Sequence, residues 1–247
     1  MTIRRIVQLT GNDVVDFLQG LITNDIKGIN RGLVYAAMLT PQGKYIADFF
    51  LSQSTDGVLL DVAESHADML VTRLNMYKLR ADVTIAPTPL HLHRGLGAPP
   101  EDALPDPRHP DMGWRAYRDT PQETDDTDWT AQRIALEIPE TGAELTPDTF
   151  ILEVGFERLS GVDFRKGCYV GQEVTARMKH KTELRKGLAK VAVDGDADFG
   201  TEITANGKAA GTLLSRAGNE ALAYLRFDRA TGEMQAGDAT VARILAK

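Results

Sequence analysis

Hydrophobic positions along this chain change their period several times, and each change marks an element. Between Thr10 and Ile22, the residues Val14, Val15, Phe17, Leu18 and Leu21 fall at helical spacing, with Thr10 or Asn12 placed to cap the first turn. "GLVYAAMLT" and "YIADFFLS" are apolar runs joined by Pro-Gln-Gly-Lys at 41–44, which predicts a hairpin. "GVLLDV" predicts a third strand and "ADVTIA" a fourth. Between them, "ESHADMLVTRLNMYKL" places Ala67, Leu70, Val71, Leu74 and Tyr77 on one side of a helix. Strands with two helices on one antiparallel sheet make this half α+β.

From Pro87 to Asp128 the periodicity lapses. Eight of the eleven prolines and nine acidic residues fall in this stretch, which predicts a long surface loop around one short strand, "GWRAYR". The low apolar content of "TPQETDDTDW" predicts mobility, and its acidic run reads as solvated rather than metal-binding. "RIALEIPETGAELTPDTFILEVG" resumes the organised pattern. After about Lys186 come short alternating runs punctuated by Gly, Asn and Asp, with "ANGK" at 205–208 as a hairpin turn. Regular short strands of this kind predict a small β-barrel or sandwich of about sixty residues.

Composition narrows the chemistry. A net charge of −7 means that contact with nucleic acid or an anionic membrane needs a local basic patch. No stretch approaches the roughly twenty apolar residues of a membrane span, and "MTIRRIVQLTGNDVV" has no continuous apolar segment after its arginines. The expectation is a soluble, cytoplasmic protein without membrane contact. A single cysteine, Cys168, excludes an internal disulfide and an iron–sulfur cluster held by this chain alone, since such clusters generally take four cysteine ligands. The five histidines show no zinc spacing with cysteine partners, and only His91 and His93 sit two apart. No phosphate loop, dinucleotide fingerprint or serine elbow is present.

The one cysteine sits in "DFRKGCYVGQEVTARMKHK", residues 163–181, between Gly167 and Gly171. From Asp163 to Lys186 there are seven Lys/Arg against three Asp/Glu, in a chain that is otherwise acidic. Neighbouring cations, and a helix start if one follows, favour a thiolate. The glycines permit positive φ and close approach of another group. Gln172 and Glu173 add an amide and a carboxylate able to read a heterocycle. Composition leaves two readings open: a reactive thiol, or Cys168 and Tyr169 as core residues with the cations as a solvated face.

"KGCYVGQE" (166–173) resembles the signature of the YgfZ-type folate-binding, tRNA-modifying proteins, relatives of the glycine-cleavage T protein, an aminomethyltransferase. "FLQGLITNDI" (17–26), "AAMLTPQGKYIADFFL" (36–51) and "IPETGAELTPDTFILEVG" (138–155) resemble further blocks of that family in the same order. The resemblance implies an α+β folate-binding region of two interleaved antiparallel-sheet subdomains in 1–186. These lie at about 1–86 and 112–186, joined by the acidic Pro-rich loop, with a C-terminal β-barrel in 187–247. It also implies tetrahydrofolate as ligand and a role in building or repairing iron–sulfur clusters of client enzymes, among them one that thiolates tRNA; the single cysteine and the histidine spacing add the expectation of no metal bound by the chain alone. Cys168 is then the functional thiol, in a loop shaped by Gly167 and Gly171. Lys166 and Arg177 would hold its thiolate and the anionic tail of folate, and Asp48 and Glu137 would contact the pterin.

Where the transferase has an acidic pair, this chain has Ala47 and Asp48. Loss of one carboxylate argues against aminomethyl transfer, which needs a placed acid to handle the reacting nitrogen. A folate-dependent transferase or demethylase remains an alternative. A second is tRNA binding through the basic 165–186 patch, with Lys179, Lys181, Arg185 and Lys186 as its cations. Asn24, in the "TND" turn, reads as structural.

Overall fold

The computed structural model describes residues 3–124, 126–181 and 184–245, and the chain divides into two compact units. A sheet unit holds 2–125 together with 156–176, and a barrel unit holds 126–155 with the chain from Arg177 onward. None of the described helices is long and apolar enough to cross a membrane.

The sheet unit is built on β1 (Arg4–Thr10), β2 (Val34–Leu39), β3 (Tyr45–Ser54), β4 (Gly57–Ala63) and β5 (Thr84–Pro87), in the antiparallel order β2-β3-β4-β1-β5. Strand alternation separates two unlike faces. On one face Ala36, Phe49 and Val62 join Val14 and Leu18 of α1 (Val14–Gln19) and Ala67, Leu70 and Leu74 of α2 (Glu64–Lys78) in an apolar core. The register sets Tyr35 opposite Phe50, and Phe50 opposite Asp61, so these three share the other face. All three are fully buried or nearly so.

What covers that second face comes from the proline-rich stretch. It is not one strand in a long loop: β6 (His91–Gly95), β7 (Leu104–Pro105) and β8 (Trp114–Arg118) form a second sheet, ordered β6-β8-β7. Arg115 of β8 reaches Asp61 at 2.9 Å and Asp106 at 3.0 Å. Arg4 of β1 bonds Asp61 at 2.6 Å, Arg108 bonds Asp106 at 2.8 Å, and the Tyr117 hydroxyl donates to Asp61 at 3.1 Å. The Arg115 and Arg108 guanidinium carbons sit 3.7 and 4.8 Å from the Phe50 ring centroid, so the cations also stack on the ring. Burial pushes the Asp61 carboxyl up, but Arg4 and Arg115 outweigh it and hold it below the usual carboxylate range. Asp106 is likewise depressed by Arg108 and Arg115 against its burial.

β1 went unread in the sequence because Arg4, Arg5, Gln8 and Thr10 break its apolar run; Arg4 turns out to be half-buried against Asp61. Asn12 does not cap α1. Asp13 holds that position, and the Asn12 side chain donates to Asp82 at 2.8 Å instead.

In the barrel unit, β9 (Lys186–Asp194), β10 (Glu202–Ala205), β11 (Lys208–Ala217), β12 (Glu220–Arg226), β13 (Met234–Ala236) and β14 (Ala239–Arg243) close in the order β10-β11-β12-β9-β14-β13. β9 alternates strictly, burying Gly187, Ala189, Val191 and Val193. Across the barrel the interior is filled largely by Ala and Val, side chains small enough for six strands to close around. Asn206 and Gly207 both take positive φ, 51° and 71°, as the two-residue β10–β11 turn requires. β13, three residues long, gave no alternation to read. α3 (Trp129–Ala135) is capped by the Asp128 side chain, which accepts from the Thr130 and Ala131 amides.

Asp61→Asn keeps the shape but leaves Arg4 without its carboxylate and Arg115 with Asp106 alone. A loss of about 3–5 kcal/mol is expected, as for a broken buried pair, read from urea unfolding. Because Asp61 and Asp106 hold their protons less tightly folded than unfolded, their stabilisation is present above about pH 4 and lost as pH falls through the folded values. The urea midpoint should therefore drop on acidification, and drop less steeply in Asp106→Asn.

Candidate functional site

The cysteine segment is irregular up to Gly171, and α4 (Gln172–Lys181) starts one residue later. "GQEVTARMKHK", ambiguous in sequence, is therefore helical. Cys168 is exposed, while Tyr169 beside it is buried. The reading of both as core residues holds for the tyrosine and fails for the thiol.

Two glycines seat this segment. Gly171 takes φ +86°, and a Cβ there would lie 2.7 Å from the Thr40 carbonyl oxygen and 2.9 Å from Leu39 Cβ. Gly43, in the β2–β3 turn at φ +76°, would place a Cβ 2.8 Å from that of Val174. The hairpin tip and the first turn of α4 thus meet backbone against backbone, which only glycine allows. Gly167 takes φ +101° with nothing within 4 Å, so its role is conformational.

Lys166 anchors the other end. Its Nζ donates to the carbonyls of Gln19 at 2.5 Å and Ile22 at 2.8 Å, and Gln19 Nε2 donates back to the Lys166 carbonyl at 3.2 Å. Gln19 ends α1, so its carbonyl is among those a helix C-terminus leaves without an intrahelical partner, and a cation there is favourable. The ammonium also lies 5.0 Å from the Tyr169 ring centroid. Burial lowers Lys166 to about 8, against the opposing pull of Asp25, Asp163 and Cys168. The predicted thiolate partner thus spends two of its donors on main chain.

Asp48 is buried in β3. Tyr45 donates to its Oδ1 at 2.7 Å and Tyr35 to its Oδ2 at 3.0 Å. Ala47 faces the opposite way, into the apolar core, where a carboxylate would be costly. The sequence did not single out Tyr35 and Tyr45 as partners of this acid, although the pairing Ala37↔Asp48 puts Tyr35 on its face. Tyr35 also lines a cavity of about 270 Å³, together with Asn24, Asp25, Pro107, Ser160 and Asp163. Asn24 shapes it as a turn residue, donating to the carbonyls of Tyr35 at 2.9 Å and Ser160 at 2.7 Å.

Glu137 belongs to the barrel unit. It has φ +54°, is half-buried, and accepts from the Lys190 amide at 3.2 Å. Gln172 is half-buried, and Glu173 and Arg177 are exposed on α4. Of the tRNA-binding cations, Lys179, Arg185 and Lys186 are exposed; the Lys181 side chain lies outside the described part. Among the described residues no group of three or more His, Cys, Asp or Glu could hold a metal. His93 is instead bound to the Thr120 carbonyl at 2.6 Å.

The chain has known relatives. A mouse protein named iron–sulfur cluster assembly factor IBA57, mitochondrial, is 32% identical over 94% of this chain and 78% of its own length. The chain belongs to the IBA57 family of iron–sulfur cluster assembly factors. The human protein of the same name is 28% identical over the same shares, and a homologue from Mycosarcoma maydis is 32% identical over 76% of this chain. The match spans 55% of that fungal protein, little more than half its length. Residues 185–245 match the C-terminal β-barrel domain of the CAF17 family. The crystal structure of the glycine cleavage system aminomethyltransferase T from Bartonella henselae superposes with a TM-score of 0.78 at 12% identity, covering 98% of this chain and 83% of that one. The fold is therefore of the aminomethyltransferase type, with antiparallel sheets and a C-terminal six-stranded barrel.

One expectation is overturned by these relatives. The cytoplasmic location inferred from composition does not stand, because IBA57 proteins from mouse, human and Mycosarcoma maydis are named as mitochondrial. The composition of a soluble globular chain does not separate one aqueous compartment from another.

Gly171→Ala is expected to cost about 1–3 kcal/mol, combining backbone strain with the Thr40 contact, and Gly167→Ala less, as compared by thermal unfolding. Lys166 binds its proton less tightly folded than unfolded. Wild type should therefore gain stability over Lys166→Met as pH rises from about 8 toward 10, read from paired urea titrations.

Proposed function

We propose that this chain assists iron–sulfur cluster assembly in client enzymes, with Cys168 as its working thiol and tetrahydrofolate as its ligand. The observation that carries the reading is the exposed thiol on a segment fixed at both ends, by Lys166 on α1 and by Gly171 on the β2–β3 turn. Nothing in the packing of the core requires a cysteine there. The names of the relatives supply the direction, since they are cluster assembly factors. A chain with one thiol offers one sulfur ligand, so a cluster held there would draw its remaining ligands from a partner. In this reading the cluster is cargo. Clients would include radical enzymes, among them the tRNA-thiolating kind implied by the sequence resemblance.

The folate part rests on other residues. Asp48 is an acceptor fixed by two tyrosine hydroxyls, and one of those tyrosines, Tyr35, lines a cavity of about 270 Å³. That volume lies just below the range for drug-sized ligands, which suits one ring system rather than a whole folate. Transfer chemistry is disfavoured by Ala47, whose side chain is committed to the core.

Two experiments test the parts separately. In cells lacking the endogenous protein, Cys168→Ala and Cys168→Ser are each expected to lower client cluster-enzyme activity at least tenfold. Full rescue by both removes the thiol role. Titration of the purified chain with tetrahydrofolate, followed by calorimetry, is expected to show saturable binding weakened about tenfold in Asp48→Asn. No heat at millimolar ligand removes the folate role and leaves the thiol role standing.

A further inference from the structure

A cavity of about 310 Å³ lies wholly within the barrel unit, lined by Glu153, Met178, Leu184, Arg185, Lys186 and Arg226. Its size is at the lower end of the range for small-molecule sites. It shares no lining residue with the cavity at Tyr35.

The cations here are held together against their own repulsion. Antiparallel pairing of β9 with β12 sets Lys186 directly opposite Arg226, and like charges so placed destabilise a sheet. The Phe227 amide donates to the Arg185 carbonyl at 2.8 Å, which fixes a third cation beside them. Their counter-charges fall short. Lys186 has Glu153 at 3.7 Å, and Arg226 has Asp228 at 3.5 Å. The second of these is a half-exposed pair, of the kind that contributes little. Among the described residues the Arg185 guanidinium has no carboxylate partner. Three cations thus line the cavity with Glu153 as its one carboxylate.

Glu153 is built in with equal care. It lies in the turn Ile151–Val154 and is 8% exposed. A Cβ at Gly187 would lie 2.6 Å from the Glu153 carbonyl oxygen, so the turn is seated on β9 by close backbone approach. The Tyr224 hydroxyl donates to Glu153 Oε2 at 2.5 Å. Burial and that hydrogen bond push the Tyr224 pKa up, so the phenol stays a donor. Glu153 Oε1 has Lys186 at 3.7 Å, beyond hydrogen-bond length. Among the described residues this oxygen of a buried carboxylate keeps its acceptor capacity unused.

These groups specify an occupant. The excess positive charge suits a carboxylate, which Arg185 and Arg226 can pair with. Met178 and Leu184 call for an apolar body, which a free phosphate lacks. Lys186 beside Oε1 would repel an ammonium, so the donor that suits Oε1 is a neutral N–H or O–H.

We infer that this cavity binds a small carboxylate with an apolar body and a neutral hydrogen-bond donor, the chemistry of an N-acylated amino acid. The carboxylate pairs with Arg185 and Arg226, the N–H donates to Glu153 Oε1, and the apolar side chain packs on Met178 and Leu184. A peptide's C-terminal residue carries the same groups. The site uses neither Cys168 nor Asp48, so it stands or falls apart from the proposed function.

The test titrates the full-length chain with N-acetyl-L-phenylalanine by calorimetry, and saturable binding is expected. N-acetyl-L-phenylalanine amide, without the carboxylate, and L-phenylalanine, with an ammonium, should each bind at least tenfold more weakly. Inorganic phosphate should not displace the acid. Arg185→Gln and Arg226→Gln, both at exposed residues, should each weaken binding at least tenfold while leaving the thermal midpoint unchanged. An octapeptide ending in phenylalanine distinguishes the source: it competes if chain ends are read, and fails to compete if the free acid is. No heat at millimolar ligand, equal affinity for acid and amide, displacement by phosphate, or unchanged binding in both arginine variants overturns the inference.

Discussion

The sheet unit depends on how one buried carboxylate is neutralised. Asp61 sits at zero exposure in the row Tyr35–Phe50–Asp61. A charge in that position is tolerable only if paired and hydrogen-bonded. Arg4 reaches it from the neighbouring strand, and Arg115 and Tyr117 from the second sheet. The pairing therefore dictates that β8 lies over this face and brings Asp106 and Arg108 with it. Asp48 and Tyr35, central to the folate proposal, share the environment so created.

How much of this was legible in the sequence follows from what each residue reports. The β2–β3 hairpin and β4 could be read as continuous apolar runs because both of their faces are buried, and α2 and most of the barrel strands because their side chains face an apolar core with a single period. β1 and the β6–β8 sheet could not, since their informative residues are arginines and aspartates whose partners lie far along the chain: Arg4 with Asp61, Arg115 with Asp61. A charged residue in sequence looks solvated whichever way it points. The same holds at the candidate site. The octapeptide 166–173 could be singled out from local pattern, yet the contact of Lys166 with Gln19 and Ile22, and of Gly171 with Thr40, needed the fold.

The cysteine segment joins two kinds of restraint. At Gly171 it is steric, backbone on backbone; at Lys166 it is electrostatic, an ammonium on the carbonyls of α1's last turn and of Ile22 just beyond it. Between them Tyr169 is buried and Cys168 is not. Burial of the neighbour and exposure of the thiol come from the same short stretch, which is how an otherwise ordinary core can display one thiol.

Solitude of the thiol has a redox consequence. An exposed cysteine oxidised to a sulfenic acid is normally rescued when a second thiol condenses with it. Here the chain has no second cysteine to supply. Any disulfide that forms at Cys168 must join this protein to another molecule, whether a small thiol, a partner or a second copy. Oxidative damage at this position is therefore repaired, or left to advance to sulfinic acid, by whatever company the protein keeps.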